Sequence, residues 1–183
     1  MRHPGRNVSG QAYALTVLTP VLPERVNALA AHLDALGSGD RSPLVRVPGT
    51  HLARWVIIDN VVYEGPPQAR DNLAAPRLLF TSNFDGSLDP YLEVLRTGLG
   101  EDADAIWGHC PGYPGRAEPR AWADWFRAHQ VDSALFFAAY GDQTVGEVRA
   151  NLELRSRLMR FALEAQGLAP EQLQARFQAE FAG

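Results

Sequence analysis

Strands that are apolar on both faces constrain this chain more than any other feature it has. Tyr13 to Thr19 (YALTVLT) and His51 to Asp59 (HLARWVIID) are short runs rich in β-branched and aromatic residues, which reads as strand. Side chains alternate across a strand, so Leu15 and Val17 oppose Leu18, and Trp55 and Ile57 oppose Val56 and Ile58. A sheet built from such strands must be covered on both sides. Arg77 to Phe84 (RLLFTSNF) predicts a third strand and Ser133 to Tyr140 (SALFFAAY) a fourth.

Helical patterns lie between them. Val26, Leu29, Ala30, Leu33 and Leu36 recur at three-and-four spacing after Pro23 and before Gly37. Asn60 to Pro76 is a long connection containing Pro66, Pro67 and Pro76. Asp89-Pro90 then opens a helix striped by Leu88, Leu92, Leu95 and Leu99, with one further turn over Ala103 to Trp107. Trp122, Trp125 and Phe126 mark another helix, started by Pro119. Thr144 to Glu147 fits a capping box for a long helix reaching about Gln166, and Pro170 begins a last one.

Strand, helix, strand, strand, helices, strand is the order of a ferredoxin-like βαββαβ fold of the α+β class. It predicts a four-stranded antiparallel sheet with extra C-terminal helices, the first and third strands central. The expected organisation is a flexible tail over 1–12, the α+β domain over 13–143, and a C-terminal helical extension over 144–183 packed on that domain. The second sheet face is then covered by those helices or by a second subunit, which makes a homodimer the expected assembly.

All 17 basic residues are arginine. A chain without lysine cannot form a lysine Schiff base, hold pyridoxal phosphate covalently, or supply the P-loop or kinase lysine. Net charge is −4 with no basic run, which argues against nucleic acid as a partner. Asp85 to Asp104 is acidic and reads as a solvated helix face. Cys110 is the sole cysteine, so no intrachain disulfide forms. Met1 to Gly10 is polar, neither signal peptide nor anchor, and no apolar run is long enough for a membrane span; the cytoplasm is the expected compartment. No GxGxxG follows a strand, and no GxSxG elbow occurs.

Three constellations could carry chemistry. Arg54 interrupts an apolar strand: either its head reaches water while its stem packs, or it binds an anionic group. His51 lies on the opposite face of the same strand, with Ala53 and Trp55. Thr81 to Ser87 gathers polar residues at a strand end, where Asn83 and Asp85 share a face. Asp85 is the natural partner for Arg54 and a candidate acid/base group, or else the cap of an Asp-Gly turn. Trp107 to Pro114 holds His109, Cys110 and Tyr113 in a glycine–proline loop. Its imidazole or thiolate could ligate haem, or Cys110 is a small buried hydrophobe.

The element order from Tyr13 to about Tyr140 resembles the dimeric α+β barrel superfamily, which includes small monooxygenases, chlorite dismutase-like proteins and dye-decolourising peroxidases. Ser82-Asn83-Phe84-Asp85-Gly86 is similar to the GxxDG motif of the peroxidases, with Ser82 where that motif has its first glycine. The resemblance implies a small-molecule-binding barrel protein, haem or another small anionic molecule as its ligand, and oxidative chemistry. Asp85 and Arg54 would be the catalytic residues, and His109, His51, Asn83 and Tyr113 would hold the cofactor. The alternative is a non-catalytic homodimeric interaction protein.

Overall fold

Four antiparallel strands, β1 (Val8–Ser9), β2 (Ala12–Pro20), β3 (Thr50–Ile58) and β4 (Arg77–Asp85), form one sheet in the order β1-β2-β4-β3. The structure, a computed structural model, describes residues 4–69 and 73–181, and the chain divides into two compact units, Met1–Val145 and Gly146–Gly183. The class is α+β. Residues 1–3 of the expected tail lie outside the described residues, whereas Val8–Ser9 joins the sheet.

One face of the sheet is a core. Leu15 and Val17 of β2, Leu78, Phe80 and Phe84 of β4, and Trp55 and Ile57 of β3 pack against α1 (Val26–Ala35), α2 (Leu88–Leu99), α3 (Glu101–Trp107) and α4 (Pro119–His129). Trp107 anchors this layer. Its ring lies 5.4 Å from Phe80 and 4.8 Å from Phe126, and all three side chains are fully buried. The sequence places Leu92, Leu95 and Leu99 on one stripe of α2, and all three reach this core.

The opposite face is open. Cross-strand pairing lays its residues out in rows: Ala14, Asn83 and Leu52, then Thr16, Thr81 and Arg54, then Leu18, Leu79 and Val56. Leu52 is 70% exposed, and Arg54 and Val56 are exposed too. The two-sided apolar pattern of the strands is real, and one of its sides meets solvent.

Ser133 to Tyr140 is not the fourth strand. The residues just before it touch the sheet edge: Gln130 bridges Val17, and Val131 N donates to Thr16 O at 2.9 Å. Beyond that point side chains take up its amides. Ser133 N donates to Asn7 Oδ1 and Ala138 N to Ser9 Oγ. Val8 and Ser9 take only the Ala12–Tyr13 end of the β2 edge, and Ser133 to Tyr140 does not pair with the rest of it; Leu135, Phe137 and Tyr140 project outward.

The second unit, described by itself, is a helical hairpin of α5 (Val145–Glu164) and α6 (Pro170–Phe181). Phe161 meets Phe177 and Phe181 edge-on at 5.6 and 5.4 Å, and Arg157 pairs with Glu180 while Arg176 pairs with Glu164.

Candidate functional site

β3 does not pair evenly with β4. Thr50 faces Phe84 and Leu52 faces Asn83, which leaves His51 as an inserted residue, a β-bulge. The bulge turns His51 away from the alternation expected of it and brings Nε2 to 2.7 Å from Asp85 Oδ1. With a carboxylate as acceptor, Nε2 is the donor, and in the neutral ring Nδ1 is then the accepting nitrogen. Asp85 is held on its other side as well: Oδ2 accepts from Val145 N at 2.9 Å, at the start of α5. Its own amide donates to Gly49 O at 2.9 Å. Gly49 has φ +77°, a conformation that side chains resist, so this close backbone turn needs glycine.

Arg54 therefore does not pair with Asp85. Its cross-strand neighbour is Thr81, four residues back along β4, which at strand rise is roughly 13 Å away. Among the described residues the Arg54 guanidinium makes no hydrogen bond or ion pair. It stands with Thr16, Thr81, Asn83 and Leu52 around a concavity of about 520 Å³ on the open face. Thr16 is the residue the sequence reading missed, and Thr81 enters it only as part of the polar strand end. The two-residue period running from Asp85 through Asn83 to Thr81 points to the second of them.

The core side of the same strand end holds a hydroxyl cluster. Tyr91 OH lies 2.6 Å from Ser82 Oγ and 3.0 Å from Thr50 Oγ1, and Tyr91 stacks on Phe84. Burial raises the Tyr91 phenol above its usual value, against the two hydroxyl contacts. Ser82, at the place of the first glycine of the resembled motif, is thus a buried partner of Tyr91.

The loop after α3 lies elsewhere. His109 O accepts from Leu22 N, just past the far end of β2, whereas Asp85 faces Ala12 at its beginning. The length of β2 separates them, roughly 26 Å. His109 Nδ1 is buried without a partner, and burial, Arg25 and His32 hold the ring below its usual pKa. Cys110 is buried with Sγ 3.2 Å from Thr19 Oγ1, and burial pushes its thiol up. Tyr113 OH donates to Asp104 Oδ1 at 2.8 Å and accepts from Trp122 Nε1 at 3.1 Å; burial and the Asp104 contact raise its pKa. Both partners of that hydroxyl are structural.

These placements do not gather the expected haem-holding residues at one site: His51 and Asn83 lie at the Asp85 end of the sheet, while His109, Cys110 and Tyr113 sit at the other end. No group of three or more His, Cys, Asp or Glu side chains converges on a metal position among the described residues. No helix among them is long and apolar enough to cross a membrane. The acidic run from Asp85 to Asp104 is not simply solvated: Asp89 pairs with Arg127, Glu93 with Arg96, Asp102 with Arg46 and Asp104 with Arg116. Compared with protein-family models, with curated proteins and with solved structures, the chain finds a match in none of the three.

Proposed function

We propose that the open face of the sheet binds a small carboxylate-bearing molecule, with Arg54 as its anchor. The observation that carries this reading is a guanidinium without a partner, set among two threonine hydroxyls and an amide in a concavity about 520 Å³ in volume. That volume is of the size small ligands occupy. A planar guanidinium matches a carboxylate with two parallel hydrogen bonds, and further polar groups line the same concavity: Thr81 on the neighbouring strand, Asn83 two residues along it and Thr16 one strand beyond. Leu52, in the same lining, supplies apolar surface for the rest of the molecule.

Asp85 shares the open face of β4 with Thr81 and Asn83, and it presents His51 with an accepting nitrogen. The ferredoxin-like arrangement enters this proposal as β2, β4 and β3, with Val8–Ser9 standing where the fourth strand would be.

Titration calorimetry with benzoate and hexanoate, on the intact chain and on Arg54→Ala, tests the reading. The expected result is a saturable heat for at least one carboxylate that disappears in the variant while its unfolding midpoint stays unchanged. No saturable heat, or the same affinity in the variant, would overturn it.

A further inference from the structure

The α5–α6 hairpin leaves its largest apolar surface without cover. Neither helix has a single buried residue. The Phe161 contacts and the Arg157 and Glu164 ion pairs that bind α5 to α6 all lie on one side of α5. At 100° per residue, Val148, Leu152, Met159 and Leu163 fall within about 60° of arc on the opposite side. Leu152, Met159 and Leu163 are 54%, 57% and 70% exposed. Two helices of this length bury too little between themselves to be stable without further packing.

We propose that a second copy of this chain covers the stripe, its α5 running antiparallel to the first. The stripe is complementary to itself in that direction and about a single point. Leu152 and Met159 are equidistant from the midpoint between Arg155 and Ser156, and so are Val148 and Leu163. One two-fold axis there sets Leu152 on Met159 of the second copy and Val148 on its Leu163. Glu153 and Arg160 share one flank of the stripe, and such an axis keeps that flank on the same side in both copies. Their offset along the axis is about 3 Å, within reach of an ion pair. Neither has an ion-pair partner among the described residues. Arg155 falls beside its own copy near the axis, a like-charge contact that opposes association and is relieved by salt.

Sedimentation over the micromolar range, with circular dichroism to confirm that each variant keeps its helices, tests this. The expected result is a concentration-dependent dimer that Leu152→Glu converts to monomer and Arg155→Ala tightens. Because Leu152→Glu could loosen the hairpin itself, charge exchange is the stricter test. Glu153→Arg alone and Arg160→Glu alone each weaken the dimer several-fold, and the two together restore it. A monomer at every concentration would overturn the proposal. So would a dimer indifferent to Leu152→Glu, which would place the interface elsewhere, or a double exchange that restores nothing.

Discussion

His51 Nε2 meets Asp85 Oδ1 at 2.7 Å because a β-bulge, not strand alternation, aims the imidazole. The same carboxylate accepts from Val145 N with its second oxygen, so one side chain ties the β3–β4 strand end to Val145. Asp85→Ala removes both acceptors and leaves the Val145 amide in search of water. The expected loss is about 1–3 kcal/mol, read as a lower urea midpoint. A variant as stable as the parent would mean that neither contact persists in solution.

Asn7 is the second polar side chain that ties distant segments together. It is almost fully buried, donates from Nδ2 to Asp132 Oδ1 at 3.0 Å, and accepts from Ser133 N at 2.8 Å. Asn7→Ala leaves a main-chain donor unpaired, so about 1–3 kcal/mol should be lost. Hydrogen exchange should quicken at the Ser133 amide first, and an unchanged rate there would show that the contact is not the one holding the segment.

These two residues mark where sequence reading stops. The stripe of α2, the Trp122–Phe126 stripe of α4 and three of the four predicted strands are legible, because periodicity records which side of an element is buried. Ser133 to Tyr140 has strand composition and is no strand, because the Asn7 and Ser9 side chains, not a neighbouring strand, take up its Ser133 and Ala138 amides. Those contacts are non-local. Arg54 and Asp85 are both singled out by residue type, and Asp85 does form a pair, but with His51. A bulge shifts register by one residue and leaves no mark in the pattern around it. His109, Cys110 and Tyr113 cluster in the sequence and not around the open face, since adjacency along a loop says little about which end of the sheet the loop meets.

Gly98 offers a test of packing against intrinsic preference. It lies inside α2, where alanine is the better helix former by about 1 kcal/mol. A Cβ there would come within 2.4 Å of Arg46 O, which belongs to the turn pressed against α2. The turn is pinned by Arg46 itself, whose Nε donates to Gly98 O at 2.9 Å, so the backbone cannot simply retreat. Gly98→Ala should therefore destabilise by about 1–3 kcal/mol in urea unfolding, and a gain in stability would show that this turn yields.

Cys110 should be silent until the chain opens. Its thiol is buried beside Thr19 and shifted upward, which disfavours the thiolate that reacts. Iodoacetamide near neutral pH should modify it only in denaturant, by mass spectrometry. Rapid modification of the folded protein would mean the loop after α3 opens on its own.

His109 gives the fold a pH dependence with a definite sign. Burial, with Arg25 and His32 close by, favours its neutral form in the folded chain, whereas the unfolded chain protonates it at the ordinary value of about 6.5. The folded state therefore binds fewer protons than the unfolded state, and stability must fall as the solution is acidified through that range. Above it the penalty vanishes. His109→Gln keeps a polar group at the site and cannot titrate, so between about pH 7.5 and pH 5.5 its urea midpoint should fall less than that of the parent. Every other titrating side chain is common to both proteins, so the difference in slope isolates the His109 environment. Equal slopes would mean that this imidazole takes up its proton as readily in the folded chain as in the unfolded one, and that burial at His109 excludes too little water to matter.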